Sequence, residues 1–137
     1  MQEQIKIRNR KASYEYFLVD KYVAGIQLTG TEIKSIRLGK VSLAEAYCGF
    51  KGHELFVINM NIAEYKFGSI YNHPPKRERK LLLTHRELKK IAIKVKEKGF
   101  TLVPTVLFVN EKGLAKLEFA VARGKKLYDK KKNKLEE

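Results

Sequence analysis

Gly25-Ile26-Gln27-Leu28-Thr29-Gly30-Thr31-Glu32-Ile33-Lys34-Ser35-Ile36-Arg37-Leu38-Gly39 encodes a strand end, a tight turn and a short helix in one continuous stretch. Upstream, Tyr14 to Val23 is rich in aromatic and β-branched residues and reads as a strand. Ile26 and Leu28 continue the two-residue alternation, so the strand resumes after Gly25. Thr29-Gly30-Thr31 then breaks it and supplies hydroxyls that can cap a helix. Glu32 falls in the first turn, where a carboxylate complements free amide N–H groups and the helix dipole. Ile33 and Ile36 can face a core together, and Gly39 stands where a helix end favours positive φ. These features dictate local structure and leave function open.

Outward from this stretch, 137 residues suffice for one domain with a real core. The 44% hydrophobic fraction is ordinary for a folded chain. No apolar run approaches the ~20 residues of a bilayer span, and residues 1–11 lack an apolar signal core, so a cytoplasmic location is expected. A single cysteine, Cys48, allows neither an internal disulfide nor a cysteine metal cage. The dominant feature is charge: 29 Lys and Arg against 15 Asp and Glu, net +14. Such a balance suits a polyphosphate partner. Anionic membrane is a rival, but the lysines do not gather on one amphipathic helix with a bulky apolar face. Nucleic acid is favoured.

In chain order, Asn9-Arg10-Lys11 reads as a polar, basic lead-in to the first strand. Tyr47–Phe50 and Leu55–Ile58 form a hairpin across Lys51-Gly52-His53-Glu54, with His53 a turn residue and Cys48 a small buried one. Ile62 to Tyr71 is irregular; Tyr65, Phe67 and Tyr71 either stack on bases or close the end of a small barrel. Asn72-His73-Pro74-Pro75 excludes helix and central strand, because two prolines remove two donors. Between Lys76 and Lys98 ten Lys or Arg stand against three Glu, half of the net charge. Thr84-His85-Arg86-Glu87 is a capping box opening a helix that Gly99 can close, with Leu88, Ile91, Ala92 and Val95 on one face. The lysine face of that helix reads as solvated, whereas Arg77, Arg79 and Lys80 beside the Pro-Pro turn suit phosphate. Phe100–Val109 and Leu114–Ala122 flank the hairpin turn Asn110-Glu111-Lys112-Gly113, with Pro104 marking a kink or an edge. Residues 124–137 are a basic tail expected to lack a fixed conformation when free.

Five to seven short strands at hairpin spacing with one good helix predict a mainly β fold, a small closed barrel spanning 1–123. An enzyme built on this chain would use Glu32 with His73 or His85 as an acid–base pair. No carboxylate cluster for two-metal chemistry and no phosphate-cradling loop accompanies them. The expectation is a non-enzyme with no metal and no cofactor.

Residues 25–47, GIQLTGTEIKSIRLGKVSLAEAY, resemble the signature of the SsrA-binding protein (small protein B, SmpB) family. The likeness continues in Asn9-Arg10-Lys11-Ala12, in Asn72-His73-Pro74-Pro75 through Leu83, and in Gly124-Lys125-Lys126, in order and over nearly the whole chain. It implies an oligonucleotide-binding-type (OB-like) barrel with appended helices. It also implies binding to the tRNA-like part of transfer-messenger RNA (tmRNA), delivery of that RNA to stalled bacterial ribosomes for trans-translation, and contact with rRNA. The protein would act as a monomer, without a membrane partner. Carried onto this chain, one RNA-binding surface would comprise Asn9, Arg10, Lys11, Glu32, Asn72, His73, Arg77, Arg79, Lys80 and Leu82. A ribosome-facing tail would comprise Gly124, Lys125, Lys126, Asp129, Lys130 and Lys131. Family members run on into a longer basic tail and tend to carry Arg where this chain has Lys131. The alternative is a generic basic OB-like RNA-binding protein of the ribosome or translation machinery. The joint presence of the Gly-Thr-Glu turn, the Asn-His-Pro-Pro block and the Gly-Lys-Lys element separates the two.

Overall fold

The structure is a computed structural model that describes residues 5–96 and 100–125. Among these the chain is mainly β, with nine strands and three helices. The strands are β1 (Lys6–Arg8), β2 (Tyr16–Ile26), β3 (Val41–Ser42), β4 (Tyr47–Lys51), β5 (Glu54–Ile58), β6 (Asn61–Ile62), β7 (Arg79–Leu82), β8 (Phe100–Val109) and β9 (Ala115–Gly124). The helices are α1 (Arg10–Glu15), α2 (Gly30–Arg37) and α3 (His85–Lys96).

Seven strands form one antiparallel sheet in the order β1-β8-β4-β5-β7-β2-β9, and β9 pairs again with β8. β3 and β6 form a separate pair. The alternation read from the sequence decides which side chains turn inward. Leu55 and Val57 of β5, Leu81 of β7, Leu102 and Leu107 of β8, and Leu117 and Phe119 of β9 are buried together in one core. Ile36 of α2 and Ile91 of α3 join that core from the helices.

The opening stretch folds as capped helix theory dictates. Thr29 is the N-cap of α2: its hydroxyl accepts from the Glu32 N–H, and the Glu32 carboxylate accepts from the Thr29 N–H at 2.8 Å. Gly39 takes φ +73° just past the helix, the left-handed geometry that favours glycine. Thr84 and Glu87 form the same reciprocal pair at the start of α3. Gly99 lies outside the described residues. The two expected hairpins form, with Lys51 opposite Glu54 and Val109 opposite Ala115.

Four details differ from or refine the sequence reading. Asn9-Arg10-Lys11 does not lead into a strand: Arg10–Glu15 is helical, and the strand starts at Tyr16. Ala12 holds that helix against Val103 and Ala122, a tertiary contact that no local pattern announces. β2 runs unbroken through Gly25 and ends at Ile26, so Leu28 lies beyond it. Pro104 sits inside β8, buried, where the register to β9 shifts between Pro104 and Val106. Its missing N–H is accommodated by a bulge, which agrees with the kink and not the edge of the two expected alternatives. β9 extends through Gly124, one residue into the expected tail, and most of that tail lies outside the described residues.

Candidate nucleic-acid interface

The centre of the site is the Glu32 carboxylate, which is fully buried. The capping box aims it from the first turn of α2. There Oε1 accepts from the Thr29 N–H and from Arg77 Nη2 at 2.7 Å. Oε2 accepts from Arg77 Nε at 3.2 Å and from Arg79 Nε at 2.5 Å. Burial alone would push this carboxyl's pKa up. Hydrogen bonds from Arg77, the Thr29 N–H and Arg79, with the Arg79 charge, outweigh burial and bring it down to about 2.

Arg79 is as buried as Glu32. It occupies an inward position of β7, in phase with Leu81, where the alternation calls for an apolar side chain. Its other nitrogens are satisfied by carbonyls: Nη1 donates to Met60 O at 2.7 Å and Nη2 to Pro75 O at 3.1 Å. The Pro-Pro turn thus serves Arg79 with acceptors. Arg77 precedes the strand and its side chain is 33% exposed. Its Nε and Nη2 are held by Glu32, while Nη1 makes no hydrogen bond among the described residues. That group can present a fixed donor to an incoming phosphate or base.

His73 is buried and uses both ring nitrogens. Nε2 lies 2.9 Å from Ile62 O, an obligate acceptor, so Nε2 carries the proton and Nδ1 accepts from the Thr31 hydroxyl at 2.8 Å. Asn72 is equally committed: Oδ1 accepts from the Tyr65 and His73 N–H groups and Nδ2 donates to Tyr65 O at 2.6 Å. A Cβ on Gly68 would stand 2.6 Å from Asn72 Nδ2 and 3.0 Å from Thr31 Cγ2, so this loop closes tightly against the start of α2. Tyr65 is half-buried, whereas Phe67 and Tyr71 are well exposed, which removes those two from closing a barrel end.

The structure therefore joins Glu32, Arg77, Arg79, His73 and Asn72, and it splits the expected contact set by role. Glu32, Arg79 and His73 face protein: the helix cap turns Glu32 inward, strand alternation turns Arg79 inward, and the hydrogen bonds to Thr31 and Ile62 hold His73 inward. Lys80 and Leu82 take the outward positions of β7; Lys80 pairs with Glu54, and a Cβ on Gly25 would stand 3.5 Å from the Leu82 side chain. Asn9 is tied elsewhere, its N–H donating to Thr105 O and its Nδ2 to Pro104 O at the β8 bulge. Arg10 and Lys11 beside it are exposed. Lys125 Nζ donates to Ser13 O at 2.8 Å and lies 4.9 Å from the Phe17 ring centroid. Lys126, Asp129, Lys130 and Lys131 lie outside the described residues. Sequence reasoning missed Thr31 and Gly68; the Gly-Thr-Glu turn was visible, but its partner loop was not.

Among the described residues no three His, Cys, Asp or Glu side chains gather to hold a metal ion. Cys48 is buried, which pushes its thiol pKa up and makes it a poor nucleophile. No helix among the described residues is long and apolar enough to cross a membrane. The arrangement offers fixed cationic donors.

A family model described as SmpB protein matches residues 6–137. The chain is 56% identical to an SsrA-binding protein of Flavobacterium psychrophilum, over 96% of this chain and 87% of that one. It is 59% identical to an SsrA-binding protein of Phocaeicola vulgatus, over 94% and 86%. A solved chain described under "tmRNA-SmpB: a journey to the center of the bacterial ribosome" superposes with a TM-score of 0.75 at 45% identity, covering 88% of this chain and 85% of that one.

Proposed function

The chain belongs to the SmpB protein family, and from that premise we propose that it binds transfer-messenger RNA and brings it to stalled ribosomes for trans-translation. The observation that carries this reading is the match to SsrA-binding proteins over more than nine-tenths of the chain. The site chemistry supports it: a buried carboxylate holds Arg77 rigid, so the arginine binds an anion without first losing side-chain freedom. Glu32, Arg79, His73 and Asn72 act as positioning residues behind Arg77. Arg10, Lys11, Lys80 and Leu82 provide further exposed contacts. Gly124, Lys125, Lys126, Asp129, Lys130 and Lys131 face the ribosome.

We further infer a closed OB-type barrel; its support is that the strand pairing leaving β8 through β4 returns to β8 through β9. The protein acts by binding alone, in the cytoplasm. Titrating the purified chain with tmRNA, a canonical tRNA and an unrelated hairpin across a salt series tests the reading. Tighter binding to tmRNA at every salt concentration is expected. Equal affinity for all three would favour a general RNA-binding role.

A further inference from the structure

Residues 63–72 join β6 to the Pro-Pro turn and carry Tyr65, Phe67, Ile70 and Tyr71. Ile70 at 84% and Tyr71 at 83% are the most exposed large apolar side chains among the described residues, and Phe67 stands at 75%. Three such side chains on one short loop mark a contact site rather than scattered surface. The loop holds them in place before any partner arrives. Asn72 folds it back on itself, with Oδ1 accepting from the Tyr65 N–H at 3.0 Å and Nδ2 donating to Tyr65 O at 2.6 Å. The Gly68 N–H also donates to Tyr65 O, and the Tyr71 N–H donates to Gly68 O, closing one turn of 3-10 helix over Ser69–Tyr71. Tyr65 meets Phe67 edge-on with ring centroids 5.7 Å apart, and Lys34 of α2 lies 5.3 Å from the Tyr65 centroid. A lobe fixed in this way loses little freedom on binding.

Glu64 and Lys66 are the only charged residues of the loop and cancel, so it is neutral in a chain of net charge +14. It offers planar apolar surface and no net charge of its own. Its position decides what covers that surface. A Cβ on Gly68 would stand 3.0 Å from Thr31 Cγ2, Thr31 holds His73, and Glu32 beside it clamps Arg77. The lobe is therefore continuous with the fixed arginine. An apolar pocket on a protein would take Ile70 as readily as the rings. Two aromatic rings beside a phosphate donor fit a nucleotide chain better, with the arginine on the backbone and the rings on bases. A base inside a duplex already has both faces stacked, so only unpaired bases can be taken.

We propose that Phe67 and Tyr71 stack on unpaired bases of tmRNA next to the phosphate that Arg77 holds, and that they discriminate this RNA from paired RNA. The proposal rests on the tmRNA-binding reading above and names the residues that read bases. The full chain, Phe67→Ala/Tyr71→Ala, Phe67→Leu/Tyr71→Leu, Phe67→Tyr/Tyr71→Phe and a control, Ile93→Ala at a 64% exposed position of α3, are titrated with tmRNA and with a fully paired RNA duplex across a salt series. The alanine pair should lose tmRNA affinity about tenfold or more and the leucine pair nearly as much, while the ring-preserving pair and the control match the parent. The salt slope should stay at the parent value, because stacking releases no counterions. Duplex affinity should be the same in all five proteins, and their melting temperatures verify that each is folded. An alanine pair that binds tmRNA like the parent, that loses tmRNA and duplex alike, or that shows a lower salt slope would overturn the stacking. A leucine pair at parent affinity would overturn it too and assign the lobe to an apolar pocket of a protein partner. A parent chain that binds tmRNA no more tightly than the duplex would overturn the tmRNA reading and the stacking with it.

Discussion

Oε2 of Glu32 and Nε of Arg79 lie 2.5 Å apart, and neither side chain has any exposure. Forty-seven residues separate them in sequence, one in a helix cap and the other in a sheet. Their pairing pins the start of α2 to the start of β7, and Arg77, two residues earlier, inherits its orientation from the same carboxylate.

Glu32→Gln removes the charge and keeps the shape. Arg79 would then be left buried without a counter-charge, a loss of about 3–5 kcal/mol. The melting temperature should fall by roughly 10 °C or more. Measured well below that temperature, RNA affinity should fall as well, because Arg77 loses its clamp. Unchanged affinity in a destabilised variant would make Glu32 purely structural.

Acid should reveal the same pair. The carboxyl of Glu32 drops from 4.5 to about 2 in the folded chain, so the folded state favours its ionised form. That stabilisation is present above pH 4.5 and is lost as pH falls toward 2, by about 3 kcal/mol in all. Urea unfolding between pH 6 and pH 2, compared with Glu32→Gln, isolates it: the difference between the two proteins should shrink as pH falls.

Arg77→Lys and Arg79→Lys should separate binding from folding. Arg79 donates to Glu32, Met60 and Pro75 from a planar fork that an ammonium cannot reproduce, so Arg79→Lys should cost about 2–4 kcal/mol of stability. Arg77 is partly exposed, and Arg77→Lys should cost less than half as much while weakening tmRNA binding about tenfold. Paired denaturation and titration measure both; a reversed order would refute the division.

Deleting residues 128–137 should leave tmRNA affinity nearly unchanged, because the Glu32–Arg77 centre lies outside the deleted segment. Salt is held constant, because each lost phosphate contact also lowers the salt slope. Peptide tagging on stalled ribosomes should fail in the same protein. A parallel collapse of binding and tagging would place the tail in the primary RNA site.

Much of this was legible locally. The Thr29–Glu32 and Thr84–Glu87 caps, the Gly39 helix end and the two hairpins depend on residues at most a few positions apart, and short-range hydrogen bonding decides them. In the sequence only family likeness groups Gly-Thr-Glu with Asn-His-Pro-Pro-x-Arg, and the structure shows contacts that join them: Glu32 to Arg77 and Thr31 to His73.

Composition and periodicity alone established a basic, mainly β chain with capped helices suited to a polyanion. Only the tertiary structure decided which basic and polar groups face solvent. Arg77, Arg79 and Lys80 look alike in sequence. Strand phase turns Arg79 into the core and Lys80 outward, and the cost of burying the Arg79 charge is offset by the carboxylate that a helix cap forty-seven residues away supplies. Local patterns carry the energetics of a turn or a cap, whereas burial and charge pairing depend on chain segments that meet through long-range pairing.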